Sequence, residues 1–240
     1  MSSALPATLC PTERYAGVFE RPGYATVDLS RSAFSRVEPC GPASVSVSSL
    51  RRARAEVGDQ MKTYIALFRG LNVGGHNILP MNELVSVLEK IGARSVKTYI
   101  QSGNAVFQGE ETDASLLSIK IGAAIKKSHG FEPQVLLLEL EEMEKAVASN
   151  PFPEAESEPK ALHLYFLDAI PENPDFDTLA SIKSNRERFA LKDGVFYLHA
   201  PEGIGRSKLA ANAEKLLGVS ATARNWRTVS KIMAMATLSN

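Results

Sequence analysis

From Tyr64 onward, short apolar runs with strand character alternate with stretches whose apolar residues fall at helical spacing. Tyr64–Phe68 reads as a strand, followed by a glycine-rich loop over 69–80. Leu84, Val85, Leu88 and Ile91 share one face of a helix over Met81–Ile91, and Pro80 suits its first turn. Val96–Gln101 and Ala105–Gln108 read as strands around a turn at Ser102-Gly103-Asn104. Thr112 and Asp113 start the next helix, which runs to about Ser128 with Leu116, Leu117, Ile121, Ala124 and Ile125 inward. Pro133–Leu140 is the next strand. The order βαββαβ is that of a ferredoxin-like unit.

The pattern then partly repeats. Glu141–Ala148 reads as a connecting helix, Ala161–Leu167 as a strand and Phe176–Ser184 as a helix. Arg188–Leu191 and Val195–His199 flank a hairpin turn at Lys192-Asp193-Gly194. Helices follow at Ser207–Leu217 and from about Asn225 to Ala236. The second half therefore reads βαββα plus a terminal helix. The expected fold is α/β (α+β), with two ferredoxin-like halves over 61–150 and 151–240, joined by the stretch 150–159. A single mixed sheet is the competing arrangement.

Residues 1–60 lack this periodicity and are rich in Ser, Pro, Gly and Arg. So little apolar surface does not offset ordering entropy. The expectation is a poorly structured extension, or a start upstream of the natural one; a regulatory or targeting arm is the functional alternative.

Charge narrows the partners. Lys+Arg and Asp+Glu both number 27, so no basic excess favours non-specific nucleic-acid binding. Both cysteines, Cys10 and Cys40, precede Met61, which excludes a thiolate nucleophile or Cys-ligated metal from the later residues. No His-Glu-x-x-His or close His-x-His spacing points to zinc, so no metal site is expected and the cofactor is unknown. No run reaches the length of a membrane-spanning helix, and no secretory signal is evident, so the expected location is the cytoplasm.

In a ferredoxin-like half, the loop after the first strand and the turn between the second and third fall at one sheet end. That brings Arg69-Gly70-Leu71-Asn72-Val73-Gly74-Gly75 beside Gln101-Ser102-Gly103-Asn104, with the His129-Gly130 loop at the same end. Gly70, Gly74 and Gly75 allow an anion-binding nest of N–H groups. Arg69 supplies a guanidinium fork, and Asn72, Gln101, Ser102 and Asn104 supply neutral polar groups. The bland alternative is a tight loop in which these side chains satisfy local backbone. The glycine pattern is neither a Walker loop nor the dinucleotide fingerprint.

A second candidate is Gly203-Ile204-Gly205-Arg206-Ser207-Lys208-Leu209. Ser207 can cap the following helix, whose free N–H groups attract anions, with Arg206 and Lys208 alongside. Thr222, Arg224, Asn225, Trp226 and Arg227 extend this basic lobe. Trp226 suits stacking on a planar ligand, or equally a core anchor. Acid–base candidates are few. His199, ending a strand, is the best of them; His163 reads as a packed histidine and His76 lies in the glycine loop. Glu139, Glu141, Glu142 and Glu144 suit a helix start.

Five ordered motifs carry a resemblance: Leu67-Phe68-Arg69-Gly70-Leu71-Asn72-Val73-Gly74-Gly75, Gln101-Ser102-Gly103-Asn104-Ala105-Val106-Phe107, Asn150-Pro151-Phe152, Gly205-Arg206-Ser207-Lys208-Leu209, and Thr222-Ala223-Arg224-Asn225-Trp226-Arg227-Thr228-Val229. With them the chain from Met61 to about 235 resembles the domain of unknown function 1697 family, found mostly in bacteria. The resemblance implies two ferredoxin-like parts and a start near Met61. It implies no activity, and the family's usual lysine or other polar residue at His76 weakens a catalytic role there.

Three functions follow as expectations. The first is binding of a small phosphorylated or nucleotide-like anion. The second is RNA or single-stranded DNA binding, which needs exposed sheet-face aromatics such as Tyr64 and Tyr99. The third is a structural or protein-interaction role. Whether any reaction is catalysed is left open.

Overall fold

The computed structural model describes residues 61–110 and 113–238. The readings of the N-terminal extension and of Thr112 as a helix start lie outside the described residues.

The first half runs β1 (Lys62–Arg69), α1 (Met81–Lys90), β2 (Arg94–Thr98), β3 (Asn104–Gly109), α2 (Ala114–His129), β4 (Gln134–Glu139) and α3 (Leu140–Ala148). Its sheet has the order β2-β3-β1-β4, all neighbours antiparallel. The second half runs β5 (Leu162–Leu167), α4 (Phe176–Ile182), β6 (Arg188–Lys192), β7 (Val195–His199), α5 (Lys208–Leu217), β8 (Ala221–Asn225) and α6 (Trp226–Thr237). Its sheet order, β6-β7-β5-β8, repeats the first. Both sheets are ferredoxin-like, and each motif ends in an extra helix.

Side-chain alternation on the central strands builds three apolar layers. On β1, Tyr64, Ala66 and Phe68 face a layer closed by α1 and α2, whereas Ile65 and Leu67 face the other way. On β5, Tyr165 faces the layer with α5, whereas Leu162, Leu164 and Phe166 face the other way. The Ile65 and Leu162 faces share one core with Met143 and Ala146 of α3 and Trp226, Val229, Ile232 and Ala236 of α6. Tyr197 on β7 donates its hydroxyl to the Ala146 carbonyl of α3 at 2.7 Å within that core. The two halves are thus joined through a common interior.

Several details depart from the sequence reading. The second strand begins at Arg94 and ends at Thr98, because Ser95 (φ 53°) and Ile100 (φ 51°) take left-handed backbone and the register shifts between Arg94 and Lys97. The fourth strand stops at Glu139, which forms a capping box with Glu142 and starts α3. Strand β8 was absent from the βαββα reading. Its sequence alternates only the small apolar residues Ala221 and Ala223 with Thr222 and Arg224; its strand form comes from pairing along β5. The linker carries a 3-10 turn, Pro153–Ser157, with Phe152 and Ala155 packed into the shared core.

Candidate functional site

The β1 end, the glycine loop and the β2–β3 turn do converge. Leu67 pairs with Asn104, and Phe68 N donates to Gly103 O at 3.0 Å. Asn72, left-handed at φ 54°, organises the loop. Its Nδ2 donates to Leu79 O (2.9 Å) and Gln101 O (2.7 Å), and its Oδ1 accepts from Leu79 N (2.8 Å). Gly103 (φ +77°) sits so close beneath Phe68 and Leu71 that a Cβ there would lie 2.7 Å from Phe68 Cβ. Gly74 and Gly75 have positive φ and are exposed. His129, at the same sheet end, is held by Glu83 and Ser128, each at 2.7 Å.

Into this cluster comes Arg224 of β8. Its Nε donates to Asn104 Oδ1, its Nη2 to Phe68 O (2.7 Å) and Gly103 O (3.0 Å), and its Nη1 to Ala223 O (2.9 Å). Asn104 is buried and donates its Nδ2 to Tyr99 O at 3.0 Å. Burial lowers the Arg224 guanidinium from the usual arginine range to about 10, still well above neutrality. Arg69 makes the matching contact from β1, donating to Glu214 Oε2 (2.9 Å) on α5 and to Ala221 O (3.2 Å). These arginines therefore spend their donors on the joint between the halves. Ser102 lies at its edge, 3.5 Å from Asn104, and the Gln101 side chain is exposed.

Arg206, Ser207 and Lys208 lie elsewhere. They sit at the N-terminus of α5, six to eight residues before the Glu214 that meets Arg69, with Lys208 roughly 9 Å away along the helix axis. A separate cleft of about 290 Å³ opens there, lined by Ser184, Glu187, Glu202, Gly203, Arg206, Ser207 and Lys208 and by none of Arg69, Gln101, Asn104 or Arg224. Ser207 is buried and accepts from Ala210 N at 2.9 Å. The expected single basic lobe is divided further: Asn225 caps α6 by accepting from Thr228 N at 2.9 Å, and Trp226 is buried in the shared core. That indole is a core anchor, 7% exposed.

His199 is 8% exposed at the end of β7. Arg188 Nη2 lies 3.1 Å from its Nδ1, and since a guanidinium only donates, the ring proton sits on Nε2. That Nε2 is buried without a hydrogen-bond partner, 3.8 Å from Glu158. Arg188 also pairs with Glu154 and lies over the Phe152 ring, so His199 belongs to the fastening of the linker strap. His163 is buried too, its Nδ1 3.2 Å from Ala161 O, and burial pulls its pKa below the usual imidazole value.

Tyr64 is wholly buried against Phe107 and so is no surface aromatic, whereas Tyr99 is half-buried against the shared core. Among the described residues no helix is long and apolar enough to cross a membrane, and no three His, Cys, Asp or Glu side chains are grouped to hold a metal.

No curated protein matches the chain. Among solved structures, a conserved bacterial protein of Streptococcus pneumoniae, SP0830, is similar at 28% identity and a TM-score of 0.57, over 74% of this chain and 99% of that one. The family model described as a protein of unknown function, DUF1697, matches residues 61–197, more than half of the chain. The motifs, the twin ferredoxin-like sheets and this match agree: the chain belongs to the DUF1697 family.

Proposed function

We propose that the protein acts in the cytoplasm and binds a small phosphorylated or nucleotide-like anion at the N-terminus of α5. The observation that carries this reading is the pair Arg206 and Lys208. Both are exposed, both line the 290 Å³ cleft, and neither forms an ion pair among the described residues. The carboxylates beside them have partners of their own: buried Glu187 accepts from Ser184 N at 2.8 Å, and Glu202 lies 3.6 Å from Arg186. The N–H groups of the first turn of α5 add partial positive charge. Arg69, Asn72, Asn104 and Arg224, which the sequence also nominates, act in this reading as joint residues, because their polar groups already have protein partners.

The test is calorimetric titration of the full chain with inorganic phosphate and adenosine monophosphate, repeated on Arg206→Ala/Lys208→Ala. Saturable binding that weakens with added salt and is lost in the double variant is expected. Binding of neither probe, or binding unchanged in the variant, overturns the reading.

A further inference from the structure

A second cleft, of about 460 Å³, runs between α2, the edge strand β4 and, from the other half, strand β8 and Asp168 just past the end of β5. It is lined by Ser118, Glu132, Gln134, Asp168 and Thr222, and none of its lining residues is Lys, Arg or His. Thr222 is 4% exposed, yet its hydroxyl has no hydrogen-bond partner among the described residues. A hydroxyl left unpaired on a nearly buried residue that lines a cleft is open to an external partner. Asp168 is likewise without a side-chain hydrogen bond or ion pair among the described residues. Desolvation raises its proton affinity even though Arg69 opposes the shift. Arg69 itself is taken by Glu214.

The hydrogen-bond inventory has a sign. Ser118 donates its hydroxyl to Val135 O at 2.8 Å and so presents only lone pairs. Glu132 is held by Lys126 at 2.9 Å and adds acceptors, as does Asp168. Only Gln134 and Thr222 can donate as well as accept. Lys126 offsets Glu132, but Asp168 has no ion pair among the described residues and side-chain acceptors outnumber donors, so an anion is disfavoured and a donor-rich cation is matched.

We propose that this cleft binds a small organic amine, its ammonium received by the Asp168 carboxylate and the Thr222 hydroxyl. The site is distinct from the one at Arg206 and Lys208. Putrescine and its neutral counterpart 1,4-butanediol separate charge from shape. In a titration of the isotope-labelled full chain followed by amide resonances, putrescine gives saturable shifts over 132–136 and near Asp168 and Thr222, with butanediol at least about tenfold weaker. Asp168→Asn, on an exposed position, abolishes the putrescine shifts while leaving the folded spectrum intact, and Thr222→Val weakens them. No saturable shift with putrescine, equal binding of the diol, or unchanged binding in Asp168→Asn overturns the proposal.

Discussion

Arg224 Nε donates to Asn104 Oδ1 across 120 residues of sequence, tying the edge strand of one sheet to the turn of the other. The same guanidinium reaches Phe68 O and Gly103 O, so one side chain satisfies several acceptors at the end of β1 and β3. Arg224→Met removes all of these contacts at once. It is expected to lower unfolding free energy in urea by roughly 3 kcal/mol, the scale for breaking a buried charged network. Arg224→Lys keeps the charge but not the fork, and most of the loss persists.

Gly103 and Gly75 share a positive φ but not a surrounding. Gly103→Ala adds both left-handed strain and a clash with Phe68 and Leu71, for a loss of roughly 2–4 kcal/mol. Gly75→Ala meets open space and costs only about 1 kcal/mol of strain. Thermal unfolding of the two variants compares them directly.

Tyr197→Phe removes the hydroxyl that bonds to Ala146 O and leaves the ring packing in place. A loss of about 1 kcal/mol is expected in urea unfolding, more if the Ala146 carbonyl gains no substitute donor.

His163 gives the protein a pH dependence with a definite sign. Its folded pKa lies below the ordinary 6.5 because burial penalises the charged ring. The unfolded chain therefore binds the proton more readily. Stability from this group is present above 6.5 and is lost as pH falls from there through the folded value. His163→Asn removes that slope in a series of unfolding curves over mildly acidic pH. Ala161 O keeps a donor in the variant, because Ala200 N bonds to it at 2.9 Å.

Most of the fold was legible because α1, α2 and α5 bury a regular face and β1, β5 and β7 are short apolar runs buried on both faces. Strand β8 was not, since Thr222 and Arg224 are strand residues serving a cleft and a joint rather than an apolar layer. The convergence of the Arg69 loop with the Asn104 turn followed from topology alone. What the guanidinium groups do there did not, because their partners, Glu214 and the carbonyls of Phe68 and Ala221, are chosen by how the halves meet. Thr222 stood in the last family motif and Asp168 in none; what singles both out is a hydroxyl and a carboxylate left unpaired among the described residues at one cleft.

The division of labour between joint and binding cleft is tested most directly by following every backbone amide while inorganic phosphate is added to the full chain. The account predicts saturable shifts confined to residues 203–210. Shifts centred on 69–75 and 101–104 instead, with 203–210 silent, would contradict it and return the anion to the joint.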